Sequence, residues 1–223
     1  MNVIGNEYDH NISYGLDPHD DSDHLTITGN SFHDNGNHGL ICSKGCDHLL
    51  IAGNHSYRNG IPPYIPEGDE DPTDNQVHGI MLHRGVTDTI VEDNVVDDHP
   101  NGAGIAIFDS VGNVVRNNEI TGAEYGLRYS VGTRDTATTG NVVTDSAKYA
   151  VFTYQGSDLP VHTGTSGRPA NLLFSGNTFD GADSNIVKVN DADGVRFTGN
   201  VFTGSTGAVR MQNSTDTAYA GNS

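Results

Sequence analysis

The segments "LTITGN" (residues 25–30) and "LLIAGN" (residues 49–54) decide the fold, because they are copies of one pattern placed 24 residues apart. Each is a short apolar run that ends in a Gly-Asn turn. Such turns, with Gly, Asp or Asn before the Asn, recur with Asn at positions 6, 30, 54, 94, 118, 141, 177, 200 and 222. The spacings are 24, 24, 40, 24, 23, 36, 23 and 22 residues. This regularity indicates a repeat protein.

A second short strand begins about nine residues after each Asn, as in "HGLICSK" (residues 38–44) and "HGIMLHR" (residues 78–84). Two or three short strands per repeat, with Asn able to adopt a positive φ in a tight corner, are typical of one coil of a parallel β-helix. We therefore predict an all-β fold, a single-stranded right-handed parallel β-helix. It is expected to have about eight or nine coils of about 24 residues and to form one domain over residues 1–223.

Stacking of the coils converts sequence position into rows of side chains. Two rows are apolar and are predicted to point inward; one contains Leu16, Leu40, Ile80, Ile105, Leu127, Val151, Val187 and Val209, and the other Pro18, Cys42, Leu82, Ile107, Tyr129, Thr153, Val189 and Met211. Strand side chains alternate, so the intervening rows are predicted to face solvent. These are Asp17, Ile41, Met81, Ala106, Arg128, Phe152, Lys188 and Arg210, and His19, Ser43, His83, Phe108, Ser130, Tyr154, Asn190 and Gln212.

The charge balance restricts the partners. Acidic residues outnumber basic ones 29 to 11, and the net charge of -18 disfavours nucleic acid and anionic membranes. The acidic, lysine-poor composition resembles that of proteins adapted to high salt. Five of the eleven basic residues lie on or beside the outward rows: Lys44, Arg84, Arg128, Lys188 and Arg210. A cationic, aromatic strip on an acidic body predicts an elongated anionic ligand, such as an anionic polysaccharide. Charge compensation between neighbouring coils is the alternative explanation.

The remaining composition gives few signals. Cys42 and Cys46 are too close along an extended segment to form a disulfide, so free thiols are expected. There is no apolar run of membrane-spanning length and no basic-plus-apolar signal segment, and the compartment stays open. Most histidines fall near turns, where surface or corner roles are expected, and no metal ligands are assigned. His38 and His78, stacked on Tyr14, are expected to form a polar ladder.

The segment "YGLDPHD" (residues 14–20) brings a phenol, a carboxylate and an imidazole together at one end of the strip. Removing the weakly acidic proton next to the carboxylate of a sugar acid requires a base and a cation that stabilises the developing charge. His19 is the candidate base and Lys44 or Arg84 the candidate cation. Tyr14 is a candidate proton donor or acceptor, and Asp17 could orient His19.

This heptapeptide, followed by "HDNG" (residues 33–36) and "HGLICSK", resembles the mannuronan C-5-epimerases of alginate biosynthesis. The resemblance extends over about residues 6–129 and is strongest to the periplasmic branch. It implies that His19 and Tyr14 form the acid/base pair on opposite faces of C5, that Asp17 supports His19, and that Lys44 neutralises the substrate carboxylate. The family pattern has Arg at the Lys44 position in that branch. The secreted calcium-dependent branch has Asp where this chain has Ser43, so the catalytic coil does not imply calcium. No cofactor is expected to be required.

Two further functions stay open. A polyuronate lyase shares the proton abstraction and then expels the C4 oxygen, and a non-catalytic carbohydrate-binding β-helix would need no proton transfer. In either enzyme the substrate-binding residues are expected along the strip: His38, His83, Arg84, Phe108, Arg128, Tyr154, Lys188 and Arg210.

The two long spacings indicate insertions at about residues 57–77 and 156–171. The first is expected to project beside the strip as a lid or groove wall, and its acidic run to be a solvated loop rather than a calcium site. Only residues 1–12 precede the catalytic coil, so we expect a truncated N-terminal end or a homo-oligomer formed through that end.

Overall fold

The computed structural model describes residues 1–61, 76–156, 167–180, 186–204 and 209–223. Within these ranges the chain forms 22 β-strands and no helix. In chain order they are β1 (Asn2–Ile4), β2 (Glu7–Asp9), β3 (Thr26–Thr28), β4 (Ser31–His33), β5 (Leu40–Ser43), β6 (Leu50–Ala52), β7 (His55–Tyr57), β8 (Ile80–His83), β9 (Ile90–Glu92), β10 (Val95–Phe108), β11 (Val114–Arg116), β12 (Glu119–Ser130), β13 (Arg134–Thr139), β14 (Val142–Thr144), β15 (Tyr149–Tyr154), β16 (Ala170–Ser175), β17 (Thr178–Asp180), β18 (Val187–Asn190), β19 (Arg196–Thr198), β20 (Val201–Thr203), β21 (Val209–Gln212) and β22 (Ala218–Ala220).

The strands stack in parallel into three faces. One face is a nine-stranded sheet in the order β1-β3-β6-β9-β11-β13-β16-β19-β22. A second face follows β2-β4-β7-β10-β12-β14-β17-β20. The third face, which we call the site face, consists of β5, β8, the C-terminal parts of β10 and β12, β15, β18 and β21. β10 and β12 each run from the second face into the site face, with a register shift between His99 and Ala103. The structure is therefore a parallel β-solenoid.

A ladder of asparagine side chains fixes the coil period. Each Asn Nδ2 donates a hydrogen bond to Oδ1 of the Asn in the next coil, at 2.8–3.2 Å, from Asn6 through Asn222. The successive steps are 24, 24, 40, 24, 23, 36, 23 and 22 residues, as the sequence predicts. The predicted fold class, a β-solenoid of about eight turns with about 24 residues per turn, is confirmed.

The prediction that Asn itself adopts the positive φ is wrong. The positive φ belongs to the residue before each Asn: Gly5, Gly29, Gly53, Asp93, Asn117, Gly140, Gly176, Gly199 and Gly221. Gly has no Cβ to clash there, and Asp and Asn tolerate this region better than other residues. The ladder Asn follows the bend, where its amide points along the stack.

The two predicted inward rows form the core. Leu40, Ile80, Leu127 and Val151 are fully buried, and Cys42 and Leu82 of the other row also have no exposed surface. At the last coil the packing is less complete, since Met211 is 39% exposed. Cys42 and Cys46 are free thiols, as expected.

The prediction that both intervening rows face solvent is wrong for part of the site face. Ile41, Met81 and Ala106 are buried in a second apolar cluster, outside the main core, together with Ala103 and Tyr125. Arg128 is also buried, with 7% of its surface exposed. The physical reason is lateral packing, because the rings of Tyr14, Phe108, Tyr149 and Phe152 pack against this cluster.

The two long ladder steps, from Asn54 to Asn94 and from Asn141 to Asn177, contain the predicted insertions. β7 ends at Tyr57 and β16 begins at Ala170. The acidic run of the first insertion and most of the second lie outside the described residues, and so does the expected lid. No helix within the described ranges is long and apolar enough to cross a membrane.

Candidate active site

The segment from Tyr14 to His19 is docked on β5 by backbone hydrogen bonds. Isolated bridges pair Leu16 with Leu40 and His19 with Ser43, so this segment continues the site face by one coil. A Cβ on Gly15 would lie 2.4 Å from the carbonyl oxygen of Gly39. The close stacking of coils therefore requires glycine directly after Tyr14, and it places Asp17 and His19 over the next coil.

A cleft of about 150 Å³ lies at this end of the site face. It brings together the four predicted catalytic residues and two of the predicted substrate-binding residues. The cleft is lined by Tyr14, Asp17, His19, Ile41, Ser43, Lys44, His83 and Arg84. Residues separated by up to 70 positions in sequence thus surround one space. A phenol, two imidazoles and two cationic side chains are available to a ligand in this space.

Asp17, the residue expected to orient His19, makes no hydrogen bond with it. Nδ1 of His19 lies 2.8 Å from Oδ2 of Asp20, whereas Oδ1 of Asp17 accepts a hydrogen bond of 3.3 Å from Ser43 Oγ. Asp20 adopts a positive φ of 48°, which bends the chain directly after His19. Sequence reasoning quoted Asp20 but gave it no role. Because Nδ1 faces Asp20, Nε2 is the ring nitrogen of His19 that is left for a ligand.

The local environment sets the protonation of the other two groups. Burial raises the pKa of Asp17, while His19, the Ser43 hydrogen bond and Lys44 oppose this shift. The pKa of Tyr14 is also raised, first by burial and then by the negative charge of Asp17. The phenol of Tyr14 therefore keeps its proton at neutral pH and is a proton donor. Asp17 thus interacts electrostatically with both His19 and Lys44.

Lys44 and Arg84 occupy equivalent positions in successive coils. Each follows a strand of the site face, and both adopt a positive φ, of 56° and 58°. The backbone N–H of Lys44 donates to the carbonyl of His83, and that of Gly45 donates to the carbonyl of Arg84. Both side chains are exposed. Two cations are thus held one coil apart at the rim, where a carboxylate can reach either of them.

The predicted polar ladder is confirmed. The ring of His38 stacks on Tyr14 with centroids 5.5 Å apart, and His78 stacks on His38 at 5.1 Å. Nδ1 of His38 accepts the backbone N–H of His78, and Nδ1 of His78 accepts that of Ala103. Burial lowers the pKa of His38 to about 3 and that of His78 far below its ordinary value. Both imidazoles are therefore neutral and carry their proton on Nε2, and they support Tyr14 from beneath.

Arg128 lies in a cage of aromatic rings farther along the site face. Its guanidinium carbon lies 4.7 Å from the Tyr154 ring centroid, 5.0 Å from that of Phe108 and 5.6 Å from that of Tyr125. Nη2 donates a hydrogen bond to the Tyr154 hydroxyl. Nε and Nη1 are buried and have no hydrogen-bond partner within the part of the chain that the structure describes. Such unpaired donors are costly, and an anion would satisfy them.

The other predicted binding residues continue the same rows. Phe108 lies 6.3 Å from His83 and joins the cleft to the Arg128 cage. Arg128, Phe152, Lys188 and Arg210 pair in register in successive coils. Lys188 lies over the rings of Tyr149 and Phe152, and Arg210 is exposed. The sequence-based prediction did not include Tyr125, Tyr149 or the partial burial of Phe152, although these aromatic residues on adjacent coils are visible in the sequence.

The cleft offers no group of three or more metal-ligating side chains within the described ranges. Within the described ranges such a group is formed by His24, Asp47 and His48, which lie at a corner of the solenoid and do not line the cleft.

These features define a parallel β-solenoid with a polar cleft on one face. The family model described as "Right handed beta helix region" matches residues 1–166. The chain belongs to this family. A comparison with curated proteins gives no match.

Several solved structures share the fold. The periplasmic alginate epimerase AlgG has a TM-score of 0.65 and 19% identity, covering 98% of this chain and 45% of that chain. The A-module of the mannuronan C-5 epimerase AlgE4 of Azotobacter vinelandii has a TM-score of 0.59 and 18% identity, covering 92% and 60%. An alginate lyase from a Paenibacillus species has a TM-score of 0.58 and 13% identity, covering 93% and 75%. The chain spans less than half the length of AlgG.

Proposed function

We propose that this protein is a mannuronan C-5-epimerase that acts on polymeric mannuronate. The observation that carries the proposal is the cleft in which Tyr14, His19 and Lys44 surround one space. Alginate epimerases are among the structures with this fold, which supports the choice of substrate class. The cleft contains a base, a proton donor and a cation, the three groups that the reaction needs.

In the proposed reaction, Nε2 of His19 removes the C5 proton of a mannuronate residue. The electron pair of the broken C–H bond delocalises into the adjacent carboxylate, whose developing charge is stabilised by Lys44 and Arg84. The phenol of Tyr14 then delivers a proton to C5 from the opposite face of the ring, which produces guluronate. No redox change occurs, and the two proton positions are reset through solvent.

The rest of the polymer is proposed to lie along the site face. An acidic body with a cationic face orients a polyanion, and aromatic rings provide apolar surface for sugar rings. The residues proposed to contact it are His83, Arg84, Phe108, Arg128, Tyr154, Lys188 and Arg210. His38 acts indirectly, by supporting Tyr14 through their ring stack.

A polyuronate lyase is the second candidate, and the similarity to an alginate lyase favours it. Both reactions begin with removal of the C5 proton. In the lyase the electron pair expels the C4 oxygen, and the chain is cut with a new carbon–carbon double bond. In the epimerase a proton returns to C5, and the chain length is unchanged. The two products distinguish the reactions directly.

The test is incubation of polymannuronate with the protein in D₂O, with and without calcium and at low and high salt. Deuterium at C5 with conversion to guluronate and constant chain length is expected. Ultraviolet absorbance from an unsaturated product with chain shortening would assign the lyase instead.

Two variants control this experiment. His19→Ala and Tyr14→Phe are each expected to lower deuterium uptake by about 10²–10⁴-fold while polymer binding is retained. Wild-type protein that binds the polymer without deuterium uptake or cleavage would overturn both enzyme assignments. It would leave a carbohydrate-binding protein.

A further inference from the structure

A histidine pair lies at a corner of the solenoid, between the site face and the nine-stranded sheet. Asp23 and Asp47 form a parallel bridge in adjacent coils, and each is followed by a histidine, His24 or His48. The backbone N–H of His24 donates to the carbonyl of Asp47, which fixes the two coils relative to each other. Both histidines adopt a positive φ of 51°. Their backbone positions are therefore set by the stacking of the coils.

The two imidazole rings stack in parallel on this corner. Their centroids are 5.0 Å apart with an interplanar angle of 7°. Nδ1 of His24 lies 2.8 Å from Asp23, and Nδ1 of His48 lies 3.2 Å from Asp47. The Asp23 carboxylate on Nδ1 orients the His24 imidazole and leaves its other nitrogen as a ligand, as in many metal sites, whereas Asp47 lies beside His48 as a further potential ligand. The potential ligand atoms of His24, Asp47 and His48 all lie within 4.8 Å of one another.

We propose that His24, Asp47 and His48 bind a divalent transition-metal ion of the zinc class. Two imidazoles and one carboxylate suit Zn²⁺, whereas calcium and magnesium prefer ligand sets made only of oxygen. Ligand atoms around a tetrahedral zinc lie about 3.3 Å apart, so each pair of ligand atoms closes by at most about 1.5 Å on binding. Both histidine side chains are more than half exposed, which leaves room for this rotation and for water as a fourth ligand.

A similar pair at another corner of the solenoid, at the end of β2, shows what makes this corner different. His10 also adopts a positive φ, of 54°, and its Nδ1 lies 2.6 Å from the preceding Asp9. However, Asp9 pairs with His33, so the residue beside His10 in the next coil is Asp34 and not a histidine. A single Asp-His turn therefore provides only a contact between neighbouring residues and one imidazole. Two such turns in register provide two imidazoles to one ion.

The position of the site gives the ion a structural consequence. Asp23 follows His19 by four residues, and Asp47 follows Lys44 by three. An ion bound at the corner would connect the coil of the proposed base to the coil of the proposed cation. This inference does not depend on the proposed reaction, because binding of the ion is measured without substrate.

The test uses tag-free, chelator-treated protein titrated with ZnCl₂ by calorimetry. One ion per chain is expected, with a rise in the thermal unfolding midpoint on addition of Zn²⁺ because the ion binds the folded chain. CaCl₂ is expected to give no comparable heat. His24→Ala and His48→Ala are each expected to weaken zinc binding by more than about tenfold.

His10→Ala is the matched control, since it removes the same kind of Asp-His pair at a corner where Asp34, and not a second histidine, occupies the equivalent position in the next coil. Its zinc affinity is expected to equal that of the wild type. Absence of zinc binding in the wild type would overturn the proposal. Unchanged affinity in both His24→Ala and His48→Ala, or an equal loss in His10→Ala, would overturn it as well.

Discussion

Nδ1 of His19 is paired with Asp20 at 2.8 Å, while Asp17 accepts a hydrogen bond from Ser43 at 3.3 Å. The two carboxylates of the "DPHD" segment therefore have different partners. Asp20 pairs with Nδ1 of His19, and Nε2 is the nitrogen proposed to act on C5. Asp17 lies in the cleft, where its negative charge acts on Tyr14. This division leads to separate predictions for the two residues.

Asp20→Asn is expected to lower kcat for deuterium uptake by about 10–100-fold with little change in KM. Asp20 is a positioning residue: it does not line the cleft, and it acts by fixing the orientation and tautomer of His19. Asn keeps the size of the side chain but can also donate a hydrogen bond, so it no longer selects one tautomer. The measurement is the dependence of the initial rate on polymannuronate concentration.

Ser43→Ala is the control for that variant, because it removes the hydrogen bond to Asp17 and leaves the His19 pair intact. Equal kcat for Asp20→Asn and wild type would mean that the His19–Asp20 contact is only a surface ion pair.

Asp17→Asn is expected to move the alkaline limb of the pH–rate profile to lower pH. The pKa of Tyr14 is raised by burial and then by Asp17, so the phenol stays protonated to higher pH than a free tyrosine. Removing the charge of Asp17 removes one of these two causes and lowers the pKa of Tyr14. The pKa of Tyr14 in the variant is measured by ultraviolet titration. The titration of the Asp17→Asn/Tyr14→Phe double variant is subtracted from that of Asp17→Asn, which leaves the signal of Tyr14. An alkaline limb that does not move would show that the protonation of Tyr14 does not control the rate.

Arg128→Gln is expected to weaken binding of long polymannuronate about tenfold or more and to leave short oligomers unaffected. Arg128 lies four coils from Asp17, through Ile41, Met81 and Ala106, which is about 19 Å at about 4.8 Å per coil. Only a chain that reaches this distance can give a carboxylate to Nε and Nη1. Affinity measured against oligomers of increasing length tests this.

Arg116→Gln is the matched control for the length series, since Arg116 is an exposed arginine paired with Glu92 on the nine-stranded sheet. A loss that is the same at every oligomer length, or equal in the two variants, would contradict a role for the Arg128 cage in binding the chain.

The parts of the fold that depend on spacing were predictable. In a parallel stack, the interval between ladder asparagines sets the register, so the pairing of Leu40 with Ile80 and of Arg128 with Phe152 followed from the sequence. The burial of Met81 was not predictable from alternation, because it depends on neighbouring aromatic rings. The contact of Asp20 with His19 depends on a positive φ at a strand end, which period-two reasoning does not give.

Asn118→Ala is expected to lower the free energy of unfolding by about 2–4 kcal/mol. Its Nδ2 donates to Asn141 Oδ1 at 2.9 Å and to the Val91 carbonyl at 3.0 Å, and its Oδ1 accepts from the backbone and side chain of Asn94. Alanine leaves these buried groups without partners. Urea unfolding measures the change.

Asn222→Ala provides the control at the end of the ladder, where the side chain is only partly buried. The expected loss there is below about 1 kcal/mol. Similar losses at the two positions would show that the ladder does not stabilise the solenoid through buried hydrogen bonds.

His33 is expected to make stability depend on pH. Burial opposes its charge, but hydrogen bonds to Glu7 at 2.9 Å and to Asp34 at 2.8 Å raise its pKa overall. The folded pKa is above the unfolded value of about 6.5, so this stabilisation is fully present below about pH 6.5 and is lost as the pH rises through the folded pKa. Urea unfolding between about pH 5 and pH 9 should show the decline, and His33→Gln should remove it.

The loss of stability at acid pH should persist in His33→Gln, because the Arg58 hydrogen bond, which lowers the pKa of Asp34, remains. An unchanged alkaline decline in the variant would assign the pH dependence to other groups.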